Sequence, residues 1–398
     1  MSFSPKVSTL QKRTFEDGQS SNTQPPGPGA VVESFSGEGK AGPRKVAELH
    51  RDSPLSLVVK EPGLNHLIGT LKSASKERSK HPEQVTRLIF SRHLLDKART
   101  TFAQTILQGE SRLHSLSRLL ARSILGPDYD ISSSVVGKLP SSGERFSLAR
   151  TISLEELLTS TDLDLGSREL ERLRVRNHEG VWEQAELVAN SVHYEGKTPN
   201  SFDTLKLISR IKAEQAIWNK VVDHIFEFDV MVKADKQLKH LSPFVKDVFG
   251  VKILTSDEKS AYRMQEKLMN WDFPEVGLLE IGLKPGPSTR TFQFLEVKDY
   301  LTDDGAKQSG WKALKSVVRW HEQTFEIQIQ PLANYYRERE RFTRESHQGF
   351  KARREQLRDR VAKEVPLFGY YHKLLKWMFV DPTSVQPYMN NFLVEFVD

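Results

Sequence analysis

The sequence predicts an α+β protein: a mixed β-sheet flanked by helices, with a helical N-terminal region and a disordered N-terminal tail. Three observations predict it. Between Gln323 and Gln330, apolar Phe325, Ile327 and Ile329 alternate with polar Glu326, Gln328 and Gln330, the period of a strand with one buried and one polar face. From about residue 200, strand-like and helix-like runs alternate and end in a hairpin, which is the order of a sheet backed by helices. Before Leu125, apolar residues recur at helical spacing.

Taken in order, residues 1–50 are rich in Ser, Gly and Pro, with QPPGPGA at 24–30 and GEGKAGP at 37–43. Such a segment buries too little apolar surface to offset the entropy of ordering it. From Pro82 to Leu125, Val85, Leu88, Ile89, Leu95, Phe102, Ile106, Leu113, Leu116 and Leu120 predict a helix that Gly126-Pro127 stops and Gly109 divides in two. Its expected role is packing, with partner docking as the other use of an apolar face. A second helical stretch is expected over 153–192, interrupted near 159–166, where Asp162 and Asp164 are too isolated to mark a metal site.

Leu205–Lys212 reads as a strand with Arg210 and Lys212 on one face, and 213–232 as a helix. A strand over Phe244–Thr255, a helix over Asp257–Trp271, a Gly/Pro-rich loop at 283–289 and a strand over Thr291–Tyr300 follow. The hairpin pairs Ala313–Trp320 with Gln323–Gln330 through His321 and Glu322. A basic helix is expected over 337–363, then an aromatic segment, Phe368–Phe379, in which Tyr370, Tyr371, Trp377 and Phe379 are packing residues. The domain reading is a tail at 1–50, a helical region at 51–194, a sheet domain at 195–365 and a C-terminal extension at 366–398.

Composition narrows the function classes. The chain has no cysteine, which removes disulfides, thiolate zinc sites and cysteine nucleophiles. No run approaches the roughly 18 apolar residues of a membrane span, and the first residues, MSFSPKVSTLQKRTFEDG, lack the pattern of a secretion signal. The expectation is therefore a cytoplasmic protein without a membrane partner. Net charge is +6, and residues 337–363 carry ten Lys/Arg against five Asp/Glu, a local net of +5. Such a helix attracts a polyanion, a nucleotide or RNA; a solvated helix with i,i+4 pairs such as Glu340 and Arg344 fits the same residues.

The residues that can carry chemistry together are Asp247, Glu326, Arg210, Lys212 and Lys298. Two carboxylates on neighbouring strands hold one Mg²⁺, a hard ion that takes few protein carboxylates plus substrate phosphates. Basic side chains beside them neutralise those phosphates, which is the equipment of phosphoryl transfer. The polar row of 323–330 also fits a sheet with one wet face. There is no GxxxxGK[ST] loop, no GxGxxG after a strand, no HExxH and no convincing zinc pair among twelve histidines.

Several motifs add an order to these residues. SRIKAEQAIWNK (209–220) is similar to SRxKSxxSIxxK, KDVFGVKI (246–253) to DxxGxRI, and KDY (298–300), GWKALK (310–315) and EIQIQ (326–330) to the series KDY, GYRSLH and EVQIRT. In this order, over roughly 195–355, they resemble the RelA/SpoT-type (p)ppGpp synthetase domain. The resemblance implies a nucleotidyltransferase-like sheet and pyrophosphate transfer from MgATP to the 3′-hydroxyl of GDP or GTP, or of a related acceptor such as a tRNA 3′ end. It assigns Asp247 and Glu326 to Mg²⁺, Glu326 also to general base, and Arg210, Lys212 and Lys220 to ATP. On the acceptor side it places Trp311 as the stacking ring, with Lys298, Lys312 and Lys315. His347 fits the family's His-x-x-x-Lys helix, and a homo-oligomer is compatible with the family.

The departures fall on the acceptor side. Lys312, Ala313 and Lys315 replace the Arg, Ser and His of GYRSLH, Gln330 the Arg of EVQIRT and Lys252 the Arg of DxxGxRI. Ala213 and Ala216 replace serines. The family's histidine-aspartate hydrolase half has no counterpart here. A nucleotide-sensing or partner-binding module without turnover is the alternative reading.

Overall fold

The computed structural model describes residues 62–139, 141–176, 180–211, 248–302, 311–339, 356, 358–380 and 382–398. The expected disordered tail and the helix over 213–232 lie outside them, as does most of the expected basic helix. In chain order the elements are α1 (Pro62–Lys80), β1 (Thr86–Ser91), α2 (Arg92–Leu125), β2 (Tyr129–Lys138), β3 (Arg145–Thr151), α3 (Leu154–Thr159) and α4 (Asp162–Glu171). Strands β4 (Arg174–Arg176), β5 (Trp182–Gln184), β6 (Glu186–Gly196), β7 (Thr204–Ile211) and β8 (Phe249–Thr255) follow. Then come α5 (Glu258–Met269), α6 (Glu275–Glu280), α7 (Pro287–Arg290), β9 (Gln293–Asp299), β10 (Leu314–Trp320) and β11 (Gln323–Pro331). The chain ends with α8 (Leu332–Arg339), α9 (Pro366–Phe379) and β12 (Phe392–Val397).

An eight-stranded sheet runs in the order β3-β2-β6-β7-β8-β11-β10-β9. Every neighbouring pair is antiparallel except β8 and β11, which are parallel. The strands and hairpin expected beyond residue 200 are present at β7, β8, β9, β10 and β11. The β10–β11 turn uses His321 and Glu322, both at positive φ (44° and 62°), the two-residue hairpin geometry that matches strand twist. Among the described residues no helix is long and apolar enough to cross a membrane.

The alternation in β11 sorts the sheet into two faces. Phe325, Ile327 and Ile329 are fully buried, on the same side as Phe249, Val251 and Ile253 of β8 and Leu207 of β7. Helices α2 and α5 cover that side. Asp257 caps α5 by accepting a hydrogen bond from the Ser260 amide at 2.7 Å.

Two sequence expectations need correction. The helix expected over 82–125 begins only at Arg92, because Thr86–Ser91 is a strand, its Thr86, Leu88 and Phe90 buried and Arg87 and Ile89 exposed. Val85, Leu88 and Ile89 fit a helical period, but the TRLIFS run pairs in parallel with β12, and tertiary pairing overrides the local pattern. Gly109 does not divide α2. A Cβ there would lie 2.0 Å from the Phe249 ring, so the glycine lets helix and sheet approach closely.

The helical stretch expected over 153–192 is likewise confined to α3 and α4, and β6 begins at Glu186. The Leu-rich segments around 154–170 set a helical impression that β6 breaks, since it is a central strand between β2 and β7. With β2 and β3 it extends the sheet into the region expected to be helical. The aromatic segment packs as expected: the Tyr371 hydroxyl donates to the Leu71 carbonyl at 2.9 Å, and Tyr370 lies 5.4 Å from Phe392, ring to ring.

Gly109→Ala should lower stability by about 1–3 kcal/mol through overpacking, outweighing the gain of about 1 kcal/mol in helix propensity. Urea unfolding of the two proteins measures it; an unchanged or raised midpoint would contradict the close approach.

Candidate functional site

The face of the sheet away from α2 forms a groove of about 440 Å³, lined among others by Arg145, His193, Arg210, Lys252, Glu326 and Arg339. Its floor follows from strand register. Arg210 of β7 and Glu326 of β11 are both opposite Gly250 of β8, so the three form one row across three strands. The guanidinium and the carboxylate therefore stand on either side of a position without a side chain. One row along, Lys252 is opposite Ile208 and Gln328, and Lys315 opposite Gln328.

Helix α8 forms a wall. Its Glu338 accepts from Lys252 Nζ at 2.7 Å and from the Trp311 indole N–H at 3.1 Å, joining β8 and the segment before β10 to the helix. Lys252 Nζ also donates to Gln330 at 3.0 Å and lies 5.3 Å above the Tyr335 ring. Burial pushes the Lys252 ammonium pKa down, against the pull of Glu338. Arg339 donates to the Tyr335 hydroxyl at 2.7 Å.

The structure brings Arg210 and Glu326 into the groove. Lys315 forms an ion pair with Glu326, whose other oxygen accepts from Gln328 Nε2 at 2.5 Å. Lys298 is the cross-strand neighbour of Lys315 and pairs with Glu296 at 2.9 Å. Trp311 sits edge-on to Tyr300 with ring centroids 5.5 Å apart, and Lys312 reaches toward Glu258 of α5 at 4.0 Å. None of Lys298, Trp311, Lys312 and Lys315 is among the groove's lining residues. Asp247, Lys212, Lys220 and His347 lie outside the described residues.

Sequence reasoning missed Arg145, His193, Tyr335, Glu338 and Arg339. The first two sit on strands assigned to no sheet, Glu338 and Arg339 belong to a segment read only for its net charge, and Tyr335 lies between that segment and the hairpin. His193 bonds Ser191 Oγ at 3.0 Å through Nε2. Burial, with the charges of Lys206 and Arg339, pushes its pKa down to about 4.

A second group lies on the covered face. Glu110, His114 and Asp162 are buried, and one ligand atom from each lies within 4.8 Å of the others, an arrangement that can hold a metal ion. His114 Nε2 is 3.0 Å from Asp162 Oδ1, and Glu110 accepts from the Asp162 amide. Burial and the Asp162 charge push Glu110 up to about 7. Burial alone would lower His114, but the Asp162 hydrogen bond and charge outweigh it and raise it. The signal available in the sequence was the four-residue spacing of Glu110 and His114, which puts both on one helix face.

No family model and no curated protein matches this chain.

His193 makes the fold acid-sensitive. Its folded pKa lies below the unfolded value near 6.5, so its contribution is present above pH ~6.5 and lost as pH falls toward 4, up to about 3 kcal/mol. Urea unfolding from pH 7.5 to 4 should show a shallower loss in His193→Gln than in the native protein. Parallel curves would remove His193 as the cause.

Proposed function

We propose that the groove binds MgATP and that the protein is a pyrophosphokinase of the RelA/SpoT kind on a nucleotidyltransferase-like sheet. The acceptor is a nucleotide 3′-hydroxyl, that of GDP or GTP or of a related acceptor such as a tRNA 3′ end. The observation that carries the reading is the row Arg210–Gly250–Glu326. Across two strand spacings, about 10 Å, an exposed guanidinium and a carboxylate flank an open floor, room for a polyphosphate between charge stabiliser and base. The motif order of the sequence supports the same assignment.

In this reaction the acceptor 3′-oxygen attacks the β-phosphorus of ATP. The bond between the β-phosphorus and the α,β-bridging oxygen breaks, AMP leaves, and the hydroxyl proton passes to Glu326. Arg210 neutralises charge on the transferring group. Lys212 and Lys220 are assigned to ATP, and Lys298, Lys312, Lys315 and Trp311 to the acceptor side. Asp247 and Glu326 would hold Mg²⁺, which when bound would offset the charge of the substrate phosphates. Its fit rests on donor chemistry: Glu326 is a hard oxygen donor, and Asp247 precedes β8 by two residues. The basic residues of 337–363 are assigned to RNA contact should the acceptor be tRNA.

One observation favours the second reading, a nucleotide-sensing or partner-binding module without turnover. Both Glu326 oxygens already have partners, Lys315 and Gln328. The two readings part on turnover.

Incubation with ATP labelled in the β-phosphate and each of GDP, GTP, AMP and tRNA should label one acceptor and release AMP. Glu326→Gln should reduce labelling by about 10²–10⁴-fold. Nucleotide binding by calorimetry with no labelled acceptor would establish the second reading instead.

Gly250→Leu separates the groove from the fold. A Cβ at Gly250 would meet backbone oxygens only at 3.8 and 4.0 Å, so a side chain fits the sheet but fills the floor. The variant should keep its melting temperature within about 2 °C and lose ATP binding. Retained affinity would place the nucleotide elsewhere.

A further inference from the structure

We propose that Glu110, His114 and Asp162 form an internal site for a borderline first-row divalent ion of the Zn²⁺ type, tying α2 to the start of α4. The site is independent of the groove and lies on the opposite face of the sheet.

Its donors come from two elements. Glu110 and His114 lie about one turn apart on the buried side of α2, 6% and 4% exposed, and Asp162, the first residue of α4, is 1% exposed. The 3.0 Å between His114 Nε2 and Asp162 Oδ1 is close to the ligand–ligand edge of about 3.3 Å in a tetrahedral site with bonds near 2.0–2.1 Å. An ion would take the place of the shared proton.

An independent observation points to a ligand there. Asp162 Oδ2 is buried without a hydrogen-bond partner, and a bare carboxylate oxygen in the interior is costly. Among the described residues, the ion pairs include no Lys or Arg against Glu110 or Asp162; His114 is Asp162's ion-pair partner. With the imidazole neutral, as a metal ligand must be, the two carboxylates would match the charge of one divalent ion, which would take over the neutralising role of the His114 proton.

The surroundings have the character of an outer shell. Asn190 Nδ2 donates to the Asp162 carbonyl at 3.0 Å, and Ser133 donates to Asn190 Oδ1 at 2.8 Å, fixing Asp162 against β6 and β2. The donor set selects the ion: an imidazole suits Zn²⁺ and its neighbours. Mg²⁺ keeps several waters and Ca²⁺ takes six to eight oxygens, and neither suits a closed three-residue site between helix and sheet.

The test uses the full chain, stripped with EDTA and refolded from urea without metal or with ZnCl₂, MnCl₂ or MgCl₂, because a buried site fills as the chain folds. Elemental analysis after desalting should find about one Zn²⁺ per chain. The melting temperature should rise by on the order of 5 °C with Zn²⁺ and not with Mg²⁺. Zinc-edge X-ray absorption on the native protein should show one imidazole among oxygen donors, a readout that needs no variant. His114→Gln and Asp162→Asn should lose the ion and the shift, while Glu326→Gln in the groove keeps both. No stoichiometric uptake, a shell with two or more imidazoles, or zinc retained in the double variant His114→Gln/Asp162→Asn would overturn the site. Because its readouts are metal content and stability, a negative result here leaves pyrophosphate transfer in the groove standing, and the reverse also holds.

Discussion

The parallel pairing of β8 with β11 is the constraint on which the groove depends. It places Gly250 beside Glu326, while the antiparallel pairing of β8 with β7 places the same glycine beside Arg210. A slip of one residue would turn Phe325, Ile327 and Ile329 into the groove and Glu326 into the core. The covered face resists that slip. Phe249 and Phe325 lie 6.2 Å apart, ring to ring, and α2 presses against Phe249 at Gly109, where there is no side chain to hold it off. The polar face is thus held in place by the packing of the apolar one.

The sequence made β7, the end of β8, α5 and the β9–β11 meander legible because their patterns are local. Alternation and a two-residue turn declare a hairpin without reference to the rest of the chain. It hid β1, β2, β3 and β6 for the complementary reason. TRLIFS carries apolar residues compatible with either period, and only its pairing with a strand some 300 residues away decides it. β6 follows two short Leu-rich helices and has polar residues on both faces, Ser191 and His193 on the groove side and Asn190 against Asp162 on the covered side, so its pattern is blurred. Glu326 and Arg210 were legible as candidates because each lies on a strand whose phase is clear. Glu338 was not, since its role rests on where α8 packs against Lys252 and Trp311. Asp162 lacked visible partners in the sequence for a similar reason: Glu110 is 52 residues away along the chain.

Two departures from the synthetase motifs turn out to touch each other. Lys252 and Gln330 stand where the motifs have arginines, and here the ammonium donates to the amide oxygen at 3.0 Å. Two guanidinium groups side by side on adjacent strands would repel unless anions separated them. A lysine and a glutamine satisfy one another without an anion. Glu338 completes the arrangement by taking the second Lys252 hydrogen bond and the Trp311 indole. An anion arriving at Lys252 must therefore compete with a carboxylate that also fastens α8 and the entry to β10. Through that competition Glu338 would set the affinity of any anion at this end of the groove, and it couples Lys252 to the ring that the motif order assigns to the acceptor.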